Sequence, residues 1–560
     1  MPTHHVEVEK KYAVDDDFEL PSLPTLAPGE GGGSPLVEGD IVQHHLESTY
    51  FDTADLRLAR AHLTLRRRTG GDDAGWHLKI PGSDDARQEV RLPLGRSTNA
   101  VPAALRRMVR AQVAGQPLVP VGRITTDRTV HHLVDATGQV LVEVADDRVE
   151  ARRLRAVGTA GANGGAGAGG AAGAHGANGN APAVVSSWRE IEVELLGGDR
   201  TLLSVIDERL RALGVEVAGT RSKLARLLGA DLDEGKPAQA ISTALAAEPE
   251  SGQGKKAKKH KNGKGKAPEP SAGEVVLRYV AAQLGQILAN DPQVRIDTPG
   301  GVHQMRVATR RLRSALQTFK PVLEAAAVQP LRAELKWLAT ELGVARDAEV
   351  IRDRLVAAVQ AQQDELPGES ALPAVDVRMS EAYEKARTQL LTELDSERYH
   401  RVIDAVRGLV TRPPLTDDAA KPPAEVLPRR ARRAYANLKD QVDAAHDATN
   451  GADRDHHLHE ARKAAKKARY AGETLAEVFG KPARQFAAAM ETLQEELGEH
   501  QDSVVMRARL LEMAREEANV EAAFAYGRLH AQEEQRGATA VERFEASWKD
   551  ASRKSLRAWM

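Results

Sequence analysis

Two periods of hydrophobic and polar residues divide this chain. Over residues 1–230 the alternation is mostly two-residue, and Val6–Tyr12, His62–Arg68, Trp76–Ile80, Gln88–Leu92, Thr125–Val134, Val140–Arg148 and Arg189–Leu196 each read as strands. Helical spacing interrupts them near Val101–Ala114 and Thr201–Leu213. From Glu274 onward the segments are rich in Ala, Leu, Arg and Glu at helical spacing, punctuated by Pro and Gly. The pattern predicts an α+β multidomain chain, with a strand-built domain over 1–230 and an all-α half over 271–555. Residues 158–182 are almost wholly Gly, Ala and Asn at their centre, too poor in apolar surface to offset backbone entropy, and are expected to form a disordered insertion between two strands. Residues 231–270, with a Lys-rich run from Lys255 to Lys266 followed by Pro268 and Pro270, read as a flexible linker.

The helical half repeats itself. Val302–Arg313, reading VHQMRVATRRLR, matches Leu458–Arg469, reading LHEARKAAKKAR, and downstream Glu341-Leu-Gly-Val-Ala-Arg-Asp347 matches Glu496-Leu-Gly-Glu-His-Gln-Asp502. Two matched blocks in one order at nearly one offset point to paired helical bundles about a pseudo-twofold axis.

Composition narrows the picture. A chain of 560 residues exceeds one ordinary core, at roughly 100–200 residues per domain. The absence of cysteine excludes disulfides, thiolate nucleophiles and Cys-ligated zinc, and fits a reducing cytoplasm. The start of the chain shows no signal pattern, and no apolar stretch approaches the roughly 20 residues of a membrane span, so a soluble protein without a membrane partner is expected. Lys+Arg 78 against Asp+Glu 80 gives a formal net charge of −2, which does not suggest a nucleic-acid binder, and aromatics at 4% leave few platforms for stacking bases. Binding should rest on local charge.

On a strand, Glu7, Glu9 and Lys11 share one face, opposite Val6 and Val8. Arg66 with Arg68, Arg87 with Glu89, Glu143 with Asp147, and Glu190 with Glu192 and Glu194 repeat that segregation. Some faces are acidic and others basic, which suits a closed barrel holding a polyanion on Arg and Lys while carboxylates hold divalent cations. Hard oxygen ligands favour Mg²⁺ or Mn²⁺ over zinc. The adjacent pairs His44-His45 and His131-His132 point to opposite faces within each pair and read as surface or packing residues.

These residues resemble the CYTH superfamily of triphosphate tunnel metalloenzymes. The resemblance covers Thr3–Gly229 and rests on the ExExK strand Glu7, Glu9, Lys11, followed in order by Tyr50-Phe-Asp-Thr53, Leu65-Arg-Arg-Arg68, Leu78-Lys79, Arg87-Gln-Glu89, Asp147-Arg-Val149, Ile191-Glu-Val-Glu194 and Ser222-Lys223. It implies an eight-stranded antiparallel β tunnel that cleaves triphosphate groups with Mg²⁺ or Mn²⁺. Carried over by position, Glu7, Glu9, Glu192 and Glu194 would hold metal. Lys11, Arg66, Arg68, Lys79, Arg87, Arg128 and Lys223 would grip phosphate. Glu7, Glu9, Lys11, Glu143 and Asp147 are the catalytic candidates.

On a helix, positions 303, 306, 310 and 313 lie within about one quarter of the circumference at ~100° per residue. His303, Arg306, Arg310 and Arg313 therefore form a basic stripe flanked by Arg311, and no acidic residue lies between Thr298 and Leu323. The second copy gives His459, Arg462, Lys466 and Arg469, flanked by Lys463 and Lys467. Most charge runs are solvated helix faces; here like charges at i,i+3 and i,i+4 repel by a few tenths of a kcal/mol per pair, and the repeat keeps that cost twice. A shared polyanion accounts for it. Asp347 and Asp502 read as structural partners of the stripes. This half resembles the CHAD family of conserved-histidine α-helical domains, which implies binding of inorganic polyphosphate, localisation to polyphosphate granules and frequent fusion to CYTH domains. The combined expectation is a cytoplasmic, metal-dependent inorganic triphosphate or polyphosphate hydrolase with a polyphosphate-binding helical domain. The alternatives are an inactive polyphosphate-binding or granule-targeting protein, and a nucleic-acid binder as the weakest of the three.

Overall fold

Alternation along the first 230 residues closes into a barrel. The computed structural model describes residues 3–26, 36–82, 86–98, 100–154, 185–220, 222–232, 269–360, 371–517 and 520–560, so the Gly/Ala insertion and nearly all of the linker lie outside the described residues. The chain divides into two units, Met1–Lys236 and Pro237–Met560. In the first, β1 (Thr3–Val14), β2 (Val37–Asp52), β3 (Thr64–Thr69), β4 (Gly75–Pro81), β5 (Ala86–Pro93), β6 (Val119–Val134), β7 (Val140–Arg153) and β8 (Val185–Leu195) follow one another in the order β5-β4-β3-β2-β6-β7-β8-β1. Pairing of β1 with β5 closes the ring, and every pairing is antiparallel. β1 serves two neighbours in succession, Thr3–Val8 along β5 and Glu9–Val14 along β8. A two-residue strand, β9 (Glu216–Val217), adds to β1 at Tyr12 and Ala13.

Because the strand faces that turn inward are charged, an apolar core lies outside the wall. Tyr12, Val142, Val144, Ile191 and Val193 pack with Leu23 and Leu26 of α1 (Leu23–Leu26) and with Leu203, Ile206 and Leu210 of α4 (Arg200–Ala212). Each such side chain contributes about 1.5–3 kcal/mol on burial. Asp199 caps α4 by accepting from Leu202 N at 3.0 Å, and the Tyr12 hydroxyl donates to Asp207 Oδ1 at 2.8 Å, tying α4 to the wall. The remaining helices of this unit are α2 (Arg57–Arg60), α3 (Ala103–Val113) and α5 (Lys223–Leu228). α5 is capped by Ser222 and packs on β6 where Gly122 has no side chain; a Cβ there would stand 2.9 Å from Leu227 Cδ2.

The strand reading missed β2 altogether. Its inward positions Val42, His44, Leu46, Ser48 and Tyr50 mix polar and apolar residues, and an irregularity between Glu38 and Ile41 breaks the register, so no clean alternation shows. His62 takes a left-handed φ of 59°, and the strand begins at Thr64.

The second unit is helical: α6 (Ala272–Arg295), α7 (Gly301–Thr318), α8 (Ala325–Gln360), α9 (Ala371–Asp395), α10 (Glu397–Thr411), α11 (Pro423–Val426), α12 (Pro428–Asp447), α13 (Gly451–Phe479), α14 (Lys481–Glu516) and α15 (Val520–Ala551), with short 3-10 turns. The repeat is visible in it. α7 and α13 carry the two basic blocks, while α8 and α14, each 36 residues long, carry the two Glu-Leu-Gly segments. Ala461, Ala464, Ala465 and Ala468 of α13 pack on Phe486, Met490, Leu493 and Leu497 of α14. Small residues on one helix there receive large ones from the next. Among the described residues no helix is long and apolar enough to cross a membrane.

Candidate functional site

The barrel encloses a cavity of about 400 Å³. Its lining includes Glu7, Glu9, Lys11, Arg66, Arg68, Lys79, Arg87, Arg128, Glu143, Glu192, Glu194 and Lys223. Of the residues carried over as metal, phosphate or catalytic candidates, Asp147 alone does not line it, and neither do Glu89 and Glu190 of the charged strand faces. The Asp147 carboxylate, with no exposed surface, lies behind Arg128 and Lys223, accepting from Arg128 Nε and Nη2 at 2.7 Å each and pairing with Lys223 Nζ at 2.8 Å. Strand order largely sorts the charges: β7, β8 and β1 are neighbours and supply Glu143, Glu192, Glu194, Glu7 and Glu9, with Lys11 among them, while β5, β4 and β3 are neighbours and supply Arg87, Lys79, Arg68 and Arg66, with Asp72 and Asp73 in the turn between β3 and β4.

The two walls are in contact. Lys79 pairs with Glu7, Arg87 Nη1 stands 3.4 Å from Glu9 Oε1, and Lys11 Nζ is 2.9 Å from Glu9 Oε2 and also meets Glu192. Glu192 is further held by Arg128 and by Lys223 Nζ at 2.6 Å. Arg68 pairs with Asp73 at 2.6 Å, and Arg66 lies 3.8 Å from buried Glu89, which also meets His77 Nδ1 at 3.0 Å. Burial opposes ionisation of Glu9, but Lys11 and Lys79, with Arg87, outweigh it and hold its carboxyl down at about 2. Burial likewise opposes Glu192, and Lys11, Lys223 and Arg128 hold it well below the usual range. Glu194 goes the other way: burial, and then its acidic neighbours Glu7, Glu9 and Glu143, push it up to about 7.

That contrast bears on where a dication fits. Among the described residues one trio of carboxylates, Asp147, Glu190 and Glu192, brings its oxygens within 4.8 Å of one another. Lys223 Nζ already contacts all three at 2.8, 2.9 and 2.6 Å, so a metal there would have to displace an ammonium. At Glu194 the charges of Glu7, Glu9 and Glu143 instead outweigh that of Lys79, and the buried Glu9 Oε1 accepts no hydrogen bond. Hard oxygen donors beside excess negative charge suit a hard divalent cation.

Several lumen residues escaped the sequence reading. His5, His44 and His132 line the cavity, His132 Nε2 lying 3.6 Å from Glu143; the other member of each adjacent pair, His45 beside Asp127 and His131 beside Glu38, does not. Strand parity with Arg128 marks His132 as inward, a signal that was available. Tyr50 is a further lumen residue, 3% exposed and hydrogen-bonded to Arg66.

In the helical unit the two stripes come together where α7 packs against α13. Arg306 Nη1 lies 3.4 Å from Asp347 and Arg462 Nη1 3.5 Å from Asp502, one arrangement made twice. Arg311 meets Glu473 at 2.9 Å, Arg469 meets Glu473 and Glu491, and Lys463 meets Glu460. Arg310, Arg313, Lys466 and Lys467 have no ion-pair partner among the described residues. Burial and then neighbouring cations lower His303 (Arg346, Arg306) and His459 (Lys463), leaving both imidazoles less basic than usual. The two Glu-Leu-Gly segments, left without a role by the sequence, seat the arginines: a Cβ at Gly343 would stand 3.6 Å from the Arg306 guanidinium, and one at Gly498 3.1 Å from Arg462 Nη2.

Residues 6–227 match the CYTH domain family and residues 278–511 the CHAD domain family. Two proteins of Mycobacterium tuberculosis, from strains CDC 1551 / Oshkosh and H37Rv and both described as uncharacterized, are 37% identical to this chain over 98% of its length and 96% of theirs. Among solved structures, PptA from Streptomyces chartreusis is similar at 23% identity and TM-score 0.43, covering 50% of this chain and 100% of its own. The CHAD domain from the plant Ricinus communis is similar at 29% identity and TM-score 0.41, covering 52% of this chain and 93% of its own. The chain belongs to the family of proteins that join a CYTH domain, of the triphosphate tunnel type, to a CHAD domain.

Proposed function

We propose that the barrel hydrolyses inorganic triphosphate or the end of a polyphosphate chain, and that the helical unit binds the polymer. One observation carries this reading: charge is largely sorted by strand around one lumen, with Glu7, Glu9, Glu143, Glu192 and Glu194 on β1, β7 and β8 and Arg66, Arg68, Lys79 and Arg87 on β3, β4 and β5. A lumen that pairs its own two walls so fully is complementary to a cation and a polyanion entering together, since either alone would leave one wall unbalanced. Tyr50 is the one Phe, Tyr or Trp side chain lining the cavity among the described residues, so a nucleobase would find little to stack on, and an inorganic substrate is favoured.

In this reading Arg66, Arg68, Lys79 and Arg87 turn from their carboxylates to the non-bridging phosphate oxygens, with Lys11, Arg128 and Lys223 gripping from the other side. Asp147 keeps Arg128 and Lys223 aimed inward. Glu7, Glu9 and Glu194, with Glu143 near them, would hold Mg²⁺ or Mn²⁺, which when bound supplies Lewis-acid neutralisation of the charge that develops on the phosphate oxygens. Positioning and electrostatics, rather than covalent chemistry, supply the rate. Phosphate release from tripolyphosphate with Mg²⁺ or Mn²⁺, compared between wild type and Glu7→Ala/Glu9→Ala, tests the assignment. A loss of at least ~10²-fold is expected; equal rates would leave a polyphosphate-binding protein without a catalytic tunnel.

A further inference from the structure

Four cations come together where α7 packs against α13: Arg306 and Arg310, one turn apart on α7, and Arg462 and Lys466, one turn apart on α13. Three are arginines, which keep their charge in proteins. Two of those are fixed, Arg306 seated on Gly343 and tied to Asp347, Arg462 seated on Gly498 and tied to Asp502. Their buried Nε atoms have no hydrogen-bond partner, so the arginines are held by packing as much as by acceptors. The position equivalent to Lys466 in the first repeat is Arg310. Lys466 is therefore the one member of the group able to relieve the crowding by losing a proton.

The groups that face its amine are Arg306 and Arg310 from α7, Arg462 from its own helix, and Asp502 from α14. Asp502 is the single acid among them, and it is already shared by Arg462 at 3.5 Å and Arg354 at 3.7 Å. Burial, and then the three arginines, push the Lys466 amine down to about 6.

We infer that Lys466 couples polyphosphate binding to proton uptake, its amine gaining a proton as the polyanion settles over the two stripes. The inference rests on the polyphosphate reading and adds to it a proton as co-ligand. A phosphate chain laid across the stripes offsets the field of the arginines and offers acceptor oxygens, both of which favour the charged amine. The bound state then carries one proton more than the free state, so affinity falls as pH rises, by up to about tenfold per pH unit between the free and the bound titration points. An arginine at this position would bind without that dependence, and the first repeat has one.

Calorimetric titration of the full chain with long-chain sodium polyphosphate, without divalent metal, reads the proton directly. At pH 8.5 in two buffers of different ionisation enthalpy, Tris and EPPS, the difference in observed heat should correspond to close to one proton taken up per bound segment. At that pH the imidazoles of His303 and His459, left less basic than usual by burial and neighbouring cations, contribute little. Lys466→Arg should bind with the uptake abolished and with a flatter pH dependence from 7 to 9. Binding with no buffer dependence in wild type, or undiminished uptake in Lys466→Arg, overturns the inference while leaving polyphosphate binding intact. No binding heat at all would remove the polyphosphate reading and this inference with it.

Discussion

At the scale of single residues, buried charge separates groups that hold the fold from groups that await a ligand. Asp52, with no exposed surface, accepts from the backbone N–H of Thr53 at 2.6 Å and of Leu58 and Ala59 at 2.9 Å each, anchoring α2. Burial outweighs those three bonds and raises its carboxyl to about 6. A raised carboxyl favours the protonated form in the folded state, so its contribution is fully present below the ordinary value of 3.8 and is lost as pH climbs through about 6. That loss is on the order of 3 kcal/mol. Urea unfolding of the barrel, followed by hydrogen exchange in β1 to β8, should show wild type losing ground to Asp52→Asn between pH 4 and pH 7.5; parallel pH curves would mean that Asp52 is ionised throughout. Gly498 poses the opposite test. Alanine in the middle of α14 gains up to ~1 kcal/mol of helix propensity, yet its Cβ would lie 3.1 Å from Arg462 Nη2. Gly498→Ala should melt no lower than wild type and bind polyphosphate roughly fivefold more weakly, about 1 kcal/mol, whereas Gly343→Ala, with 3.6 Å of room, should bind within about twofold of wild type.

At the scale of elements, α5 is the hinge between fold and site, because one short helix places Leu224 and Leu227 in the apolar packing and Lys223 among Asp147, Glu190 and Glu192. Gly122→Ala would press on Leu227 Cδ2 at 2.9 Å and Leu224 Cδ1 at 3.5 Å, displacing the helix and its lysine together. A destabilisation of about 1–3 kcal/mol is expected, with a raised KM for tripolyphosphate; an unchanged KM beside a lowered melting point would separate α5 from the site. The sequence shows such elements unequally. β1, β4 and β8 were legible because outward Val, Ile and Trp alternate with inward charge, and the ordered motifs pointed to a barrel. β2 was not, because a polar lumen removes the contrast on which alternation depends, and its inward His44, Ser48 and Tyr50 resemble surface residues in a linear reading. The acidic and basic faces were legible one strand at a time. The ion pairs that join them, Lys79 with Glu7 and Arg128 with Asp147 and Glu192, were not, since they depend on which strands become neighbours or stand across the lumen. The Gly343 and Gly498 seats were visible as a repeat, but their purpose required the helices that face them.

At the scale of the molecule, a net charge of −2 argues against binding a polyanion, and the structure explains why it misleads. The carboxylates that balance the sum are spent elsewhere, many of them inside the barrel against its own cations, while Arg310, Arg313 and Lys466, where α7 packs on α13, have no ion-pair partner among the described residues. Polyphosphate should therefore respond to the local cations and not to the total. If roughly four to six phosphate contacts release counterions as on a single-stranded polyanion, log affinity against log salt should fall with a slope of about −3 to −4, a loss of roughly 10²-fold between 50 and 200 mM salt. Replacing Arg306, Arg310 and Arg462 by glutamine should flatten that slope by about 2 units as well as lowering affinity. A protein attracted only through general surface charge would lose affinity in this variant without a matching change of slope, because no defined set of counterions would have been displaced. The slope thus separates a built polyphosphate track from diffuse attraction, and it can be measured without any assumption about catalysis in the tunnel.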